Sequence, residues 1–462
     1  MSATSRKGKD AIASAGPDTI FALTTGVGRA AVAVLRLSGP ACADVCRCLT
    51  GRPPPAPRRA ALRSLHDPAT REMLDRVLLL WFPEPRSLTG EDVLELQTHG
   101  GTAVVGGVSD VLAGLPGVRP AEPGEFARRA FLNGRLDLTA AEGLADLIEA
   151  ETRAQARQAL RQLDGELGRL YESWRALLLR SLARLEAEID FAADEEVPDQ
   201  LVREVRPDVR RLSAEIAAHL ADDGRGERLR SGLAVAVIGP PNAGKSSLVN
   251  RLARREVAIV TALAGTTRDV LEVPLDLGGY PVTLLDTAGL REAAGPIEVE
   301  GVRRARARAE SADLRVALFD GGRWPDLDPA TLALVDDATL VVVNKCDLET
   351  VPPAPDVAGR PALLLSCLTG EGLEGLLARL RAAAEPRLAP GSGPALTRGR
   401  HRAALREAGA ALARFCDAPA EAELALLAED LRLACRALGR VTGRIAVDDL
   451  LDHIFAEFCI GK

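Results

Sequence analysis

Residues 239–246 read Gly-Pro-Pro-Asn-Ala-Gly-Lys-Ser; the apolar run Leu-Ala-Val-Ala-Val-Ile (233–238) precedes them and Ser-Leu-Val-Asn-Arg-Leu-Ala (247–253) follows. A strand that enters a glycine-rich turn and leaves it as a helix is the setting in which G-x-x-x-x-G-K-[ST] cradles phosphate. Amides of the turn and of the helix N-terminus point at phosphate oxygens, Lys245 reaches the outer phosphates, and the Ser246 hydroxyl is placed to hold Mg2+. Asn242, Ala243, Gly244 and Ser247 complete the loop. The stretch predicts a P-loop α/β domain.

Downstream elements fit the same chemistry. Asp286-Thr287-Ala288-Gly289 follows the strand-like Val-Thr-Leu-Leu and supplies an acid near the metal and a glycine amide for the outermost phosphate. Asn344-Lys345-Cys346-Asp347 follows Thr-Leu-Val-Val-Val. The Asp347 carboxylate can accept from the N1 and N2 groups of guanine, a donor pair that adenine lacks, so the chain selects GTP. Lys345 would lay its stem along the base, and Ser366-Cys367 can close over guanine O6 with a backbone amide. Thr266-Thr267-Arg268-Asp269, which Thr261, Ala262, Leu263, Ala264 and Gly265 precede, lies between the P-loop and Asp286, where a threonine hydroxyl and carbonyl can complete the Mg2+ shell and sense the γ-phosphate. Five elements in this order are a GTPase signature. Leu290, however, stands where small Ras-like GTPases place the glutamine that orients water. An aliphatic chain cannot do this, which leaves Glu292, Glu298 and Glu300 as candidates. The amide oxygen of Asn242 could hold a monovalent cation in place of an arginine finger; alternatively it only shapes the turn.

The 462 residues, 47% hydrophobic and 27% charged, exclude a disordered or collagen-like chain. They allow about three domains. A net charge of −7 argues against coating nucleic acid by bulk charge, so any RNA contact must be local. No apolar stretch approaches the ~20 residues of a membrane helix, and a cytoplasmic protein is expected. Met1–Pro17 reads as a disordered leader, with a targeting peptide as the alternative. The eight cysteines show no CxxC pair. Cys42 and Cys46 would share a helix face without histidine or cysteine partners at zinc spacing, so reduced, buried thiols in a reducing cytosol are expected. Against 53 arginines there are five lysines, at 7, 9, 245, 345 and 462. A lysine that survives such a bias marks a place where a compact ammonium is required.

Composition divides the chain further. Residues 18–135 carry short apolar runs (Ala31–Leu37, Val77–Phe82, Val93–Gln97) broken by Gly and Pro, with a helix near Thr102–Leu115, which suggests an α+β domain. From 136 to 230, Leu144, Leu147, Ile148, Leu160, Leu163, Leu167 and Leu170 recur at helical spacing. Residues 231–385 alternate strands and helices, and 386–462 are helical again after a Pro/Gly-rich linker at Leu388–Thr397. The expected fold is multidomain α/β: an α+β N-terminal domain and a discontinuous all-α helical domain interrupted by an inserted Ras-like P-loop α/β GTPase domain.

Several stretches together resemble the tRNA-modifying GTPase family MnmE, also called TrmE, from about Asp18 to Lys462. They are DTIFALTT with LRLSGP, SLTGEDVLELQTHGG (87–101), PGEFARRAFLNGRLDLTAAEGLADLI (123–148), GPPNAGKSSL, IVTALAGTTRD, DTAGLRE and the terminal DDLLDHIFAEFCIGK. The resemblance implies a homodimer paired through the N-terminal domain, and G domains that meet when potassium and GTP bind. It also implies a heterotetramer with the FAD protein MnmG. That pair adds a carboxymethylaminomethyl or aminomethyl group to C5 of the wobble uridine of certain tRNAs, using a formyl- or methylene-tetrahydrofolate. Carried over by motif, potassium would take Asn242, Thr261, Leu263 and Thr266, and Mg2+ would take Ser246 and Thr267. Glu298 would position the attacking water, although the local spelling AAGPIEVE departs from the acidic loop usual in the family. Folate would take Arg36, Glu95, Arg135 and Lys462, with Arg135 standing where the family often has lysine.

Cys459 in FCIGK is either a nucleophile for the one-carbon unit or a small apolar residue of a packed terminal helix. Arg303, Arg304, Arg306 and Arg308 either touch tRNA, relay the nucleotide state or form a solvated helix face. Two other functions stay open: a ribosome-assembly or translation GTPase sharing only the G domain, and a regulatory scaffold for the flavoprotein.

Overall fold

The computed structural model describes residues 18–191, 198–255, 257–259, 272–286, 312–348, 351–389, 391, 393–419, 422–445, 448–456, 458 and 461. Its contacts divide the chain into two compact units, Met1–Ala145 with Gly439–Lys462, and Asp146–Leu438.

The first unit is organised by period-two strands. In β2 (Ala30–Ser38), Ala33, Leu35 and Leu37 are buried while Val34 and Arg36 between them are half-buried, the alternation of a sheet with one face on a core. With β1 (Thr19–Leu23), β3 (Ala61–His66), β4 (Met73–Phe82), β5 (Val93–Gly100) and β6 (Val118–Pro120) it forms a sheet in the order β3-β4-β5-β2-β1-β6. Neighbours are antiparallel except the parallel β1–β6 pair. Helices α1 (Cys42–Thr50) and α2 (Thr102–Ala113) interleave Cys42, Cys46, Leu49, Val108 and Leu112 with the core face of the sheet. Both thiols are buried, and burial raises their pKa values. Among the described residues no group of His, Cys, Asp and Glu could hold a metal ion.

The chain's last helix, Asp448–Ala456, belongs to this unit. Leu451, Ile454 and Phe455 fall on one helical face and pack with Ala127 of α3 (Glu125–Leu132) and with Leu138 and Ala141 of α4 (Leu138–Glu149). Arg128 and Asp452 pair at 3.1 Å beside them. Composition groups residues 386–462 as one helical segment, whereas contacts assign residues from 439 onward to the N-terminal unit.

The second unit begins with helices. Thr152 and Gln155 form a reciprocal capping box at the start of α5 (Arg153–Leu163). Helices α6 (Glu166–Phe191), α7 (Pro198–Leu220) and α8 (Arg225–Ser231) follow. Tyr171 is fully buried against Trp174 and His219, and its hydroxyl lies 3.2 Å from His219 Nε2. Burial holds the His219 pKa below the usual imidazole value; Asp222 pulls it upward, while Arg402 and His401 depress it further. The unfolded chain therefore binds this proton more readily. The stability gained by packing a neutral ring is complete above about pH 6.5 and is lost as pH falls through that value toward the folded pKa. Melting followed by circular dichroism should show a fall between pH 7 and 5, about 2–4 °C for each ~1 kcal/mol lost, and His219→Gln should flatten it. An equal slope in the variant would remove His219 as the cause.

The α/β part of this unit is a six-stranded sheet in the order β14-β11-β10-β7-β9-β8. Its strands are β7 (Leu233–Ile238), β8 (Glu272–Asp276), β9 (Pro281–Asp286), β10 (Leu314–Asp320), β11 (Thr339–Asn344) and β14 (Leu363–Leu365); the short β12 (Asp356–Val357) and β13 (Arg360–Pro361) pair apart. All neighbours are parallel except β8–β9. Near-continuous apolar runs such as Val-Ala-Val-Ile and Leu-Val-Val-Val suit strands covered on both faces. Helices α9 (Lys245–Ala253), α10 (Pro329–Leu332) and α11 (Leu373–Leu388) accompany them, and α12 (Gly399–Asp417) and α13 (Leu424–Thr442) return the chain to helix. No helix of the described residues is long and apolar enough to cross a membrane.

Candidate functional site

In open parallel sheets, ligands sit beyond the carboxyl ends of the strands, and here four site segments start where strands stop. Gly239 follows β7, Asp320 closes β10, Asn344 closes β11 and Ser366 follows β14. The register aligns them, with Ala317 beside Ile238, Asp320 beside Asn344, and Asn344 beside Leu365. Motifs more than 100 residues apart in sequence therefore open on one rim.

The loop from β7 to α9 is built for close approach. Gly244 has φ +101°, and a Cβ there would lie 2.2 Å from Asn344 Nδ2, so a side chain is excluded by both backbone conformation and space. Asn344 Nδ2 donates to Ala243 O at 2.7 Å, and its Oδ1 accepts from Cys367 N at 3.0 Å. One buried amide thus ties the P-loop to the segment after β14. Lys245 is 9% exposed, and its Nζ donates to Gly239 O and Pro240 O, both at 2.8 Å. Asn242 is exposed with φ 62°, a left-handed conformation that asparagine tolerates; the turn-shaping role is thus present in the geometry. Ser246 is half-buried at the helix start and Ser247 exposed.

Around the base side, Lys345 has φ 64° and places Nζ 2.6 Å from Asp320 Oδ2. Asp347 is exposed in the turn after β11. Ser366 is fully buried, and its hydroxyl accepts from Thr369 N at 3.1 Å. The Cys367 thiol is pushed up to about 11, chiefly by burial. Two contributors escape motif reading. Arg251 of α9 donates to Cys367 O and Leu368 O, both at 2.8 Å, and to Thr369 O at 3.0 Å. Asp320 orients Lys345. The hint for Asp320 is a carboxylate ending the strand Leu-Arg-Val-Ala-Leu-Phe; Arg251 carries no signal among so many arginines.

Asp286 ends β9 with its backbone beside Val237 of β7. Thr261, Ala262, Leu263, Ala264, Gly265, Thr266, Thr267, Thr287, Ala288, Gly289, Leu290, Glu292, Glu298, Glu300 and the arginines at 303, 304, 306 and 308 lie outside the described residues, as does the leader.

In the first unit, Arg36 and Glu95 are paired across β2 and β5, with Arg36 Nε donating to Glu95 Oε1 at 2.9 Å and both side chains less than a quarter exposed. The Arg36 guanidinium also lies 6.0 Å from the centre of the Phe126 ring. Arg135 is exposed, and a Cβ on Gly90 would meet its Cγ at 3.3 Å. Cys459 and Lys462 lie outside the described residues, but Gly461 does not. A Cβ on Gly461 would sit 2.5 Å from Leu23 O, so the C-terminal backbone presses on the end of β1, whose Ala22 pairs with Arg36.

Comparison with known proteins covers the whole architecture. The family described as GTP-binding protein TrmE N-terminus matches residues 19–135, and the family described as MnmE helical domain matches residues 138–459. The chain belongs to the MnmE family of tRNA modification GTPases. It is 58% identical over 445 residues to the tRNA modification GTPase MnmE of Paramagnetospirillum magneticum, covering 96% of this chain and 100% of that protein. The MnmE of Parvibaculum lavamentivorans is 57% identical over 446 residues, with 96% and 100% covered. The human mitochondrial 5-taurinomethyluridine-[tRNA] synthase subunit GTPB3 is 51% identical over 466 residues, with 96% and 93% covered. As an MnmE-family GTPase, the chain is a GTP hydrolase, and its P-loop sheet, N-terminal α+β unit and helical segments are the expected fold.

Proposed function

We propose that this chain is the potassium-dependent GTPase of a cytoplasmic system that, with the FAD protein MnmG, installs a carboxymethylaminomethyl or aminomethyl group on C5 of a tRNA wobble uridine. The observation carrying this reading is that similarity extends over 96% of the chain, through the N-terminal and helical parts as well as the G domain. A ribosome-assembly GTPase that shares only a G domain gives no reason for the other two. The name of the human relative, which specifies a modified uridine in tRNA, supports the substrate class.

In this reading residues 18–135 bind the tetrahydrofolate derivative and pair in a homodimer, 136–230 and 386–462 form the helical domain, and 231–385 form the G domain. The Glu95 carboxylate suits the N–H edge of a pterin, and Arg36, Arg135 and Lys462 suit carboxylates. The donor set fits, since a guanidinium and a carboxylate already meet at 2.9 Å and the C-terminal backbone lies against the adjoining strand. The folate supplies the one-carbon unit when bound; the protein's own residues hold and orient it. At the G domain, Ser246 and Thr267 would hold Mg2+, Glu298 would position water, and Asn242, Thr261, Leu263 and Thr266 would hold potassium, whose charge would stand in for an arginine finger.

Nucleoside mass analysis of tRNA from a deletion strain tests the function: loss of the wobble modification is expected, and unaltered tRNA would overturn the reading. Potassium has its own test. GTP turnover should be about tenfold or more faster in KCl than in NaCl, and equal rates would remove the ion from the account.

A further inference from the structure

Away from the nucleotide rim, the second unit holds a cavity of ≈180 Å³ at the foot of the β8–β9 hairpin. Leu167 of α6, Leu229 of α8 and the Tyr280 side chain line it, as do Gln158 of α5 and Thr397 of the segment leading into α12. Arg157 and Arg161, one helical turn apart on α5, also border it and are exposed. Neither has an acidic partner in the ion pairs of the described residues. Glu166 is the carboxylate on the lining.

Two polar atoms of the wall are unmet. Thr397 is 2% exposed, and its Oγ1 has no hydrogen-bond partner among the described residues; the same holds for Gln158 Oε1, although Gln158 Nε2 donates to Gly226 O at 2.9 Å. Buried polar groups of this kind ordinarily find partners. Both residues line the cavity. The wall then offers an amide acceptor, a hydroxyl that can donate or accept, an aromatic ring, aliphatic surface, and two guanidinium groups beside the opening.

We propose that this cavity is a second ligand site, separate from the guanine site, for a mononucleotide-sized anion. A flat heteroaromatic ring with donors and acceptors on its edge lies against Tyr280 and meets Gln158 and Thr397, and its phosphate pairs with Arg157 and Arg161. Paired arginines suit phosphate because each guanidinium presents a planar fork of donors. Few pockets combine apolar walls with convergent polar groups in this way, and those that do are the usual hosts of small ligands.

The position gives the site a regulatory meaning, which rests on the GTPase reading. Tyr280 is in the turn between β8 and β9, and Ala154 N of α5 donates to Gly279 O of that turn at 3.2 Å. At their far ends, β8 begins beyond the Thr261–Thr267 segment and β9 ends at Asp286, the first residue of the Asp-Thr-Ala-Gly motif. The two strands thus form one hairpin whose turn touches the cavity and whose open end is joined in sequence to the Thr261–Thr267 stretch and to the Asp-Thr-Ala-Gly motif. A ligand that fixes the turn against α5 and α6 biases the arrangement of the segments that contact the outer phosphates, and so changes the rate of hydrolysis.

The probe is AMP, whose base lacks the donor pair that Asp347 recognises. Full-length protein saturated with GDP is titrated with AMP by calorimetry, and GTP turnover is measured with and without AMP. One AMP per chain is expected, with at least a twofold change in turnover. The exposed pair Arg157→Glu with Arg161→Glu should weaken AMP binding by tenfold or more, and Leu167→Trp should abolish it by filling the cavity. GDP affinity should be unchanged in both variants. Absence of saturable AMP binding in the wild type overturns the proposal, as does AMP binding that survives both variants. Displacement of GDP by AMP would assign the binding to the guanine site and overturn it equally. Intact GDP binding in any of these cases leaves the GTPase reading standing, so the two ideas fail separately.

Discussion

Replacing Lys245 with alanine should lower kcat/KM for GTP by about 10²–10³-fold, the loss typical of removing one preorganised group aimed at developing charge. The geometry adds a stricter expectation. Lys245 Nζ is held by two loop carbonyls at 2.8 Å on a side chain only 9% exposed. A three-donor ammonium can keep those bonds and still face a phosphate, whereas a planar guanidinium needs more room and a different fan of acceptors. Lys245→Arg should therefore be nearly as inactive as Lys245→Ala, in a chain that otherwise uses arginine almost everywhere. Steady-state hydrolysis alongside urea unfolding checks this. An arginine variant with near-normal turnover would show that the scarcity of lysine says nothing about this site.

Asp347→Asn should change which nucleotide is used. In the proposed assignment the carboxylate would accept two hydrogen bonds from guanine, each charge-assisted and worth ~1.5–3 kcal/mol, so GTP affinity should fall about 10²-fold or more. The new amide carries a donor, which suits a carbonyl at position 2 of a purine, so xanthosine triphosphate should bind better to the variant than to the parent. Asp347 is exposed, and the melting temperature should not move appreciably. Asn344, three residues earlier, is 2% exposed and ties Ala243 to Cys367. Its removal should instead destabilise the domain. Titration with a fluorescent GDP analogue separates the two, and unchanged guanine preference in Asp347→Asn would refute the assignment.

The phosphate loop was readable because its chemistry is local: eight consecutive residues fix strand, turn and helix together, and the strand ends follow from apolar runs. Long-range partners were not. Arg251 reaches a loop 116–118 residues away, and no spacing rule distinguishes it from the other arginines. Asn344 was legible as part of a base-recognition motif, yet its buried role as a tie between two loops depends on the Asp320–Asn344–Leu365 register. The last helix illustrates a different obstacle. Alanine and leucine recur in nearly every helix here, and composition cannot say which surface Leu451 and Phe455 will cover. Arg36 and Glu95 were legible only through the family resemblance, since an arginine and a glutamate on separate strands look like ordinary surface residues until pairing aligns them.

That last helix also sets an order of events during synthesis. Ala127, Leu138 and Ala141 leave the ribosome early, but Leu451, Ile454 and Phe455, which cover them, follow roughly 300 residues later, on the order of 15–60 s at ~5–20 residues per second. Throughout that interval the nascent N-terminal unit presents a bare apolar face while the whole intervening unit is being made. A translational pause or premature stop before residue 439 prolongs that exposure and offers the face to chaperones or to other nascent chains.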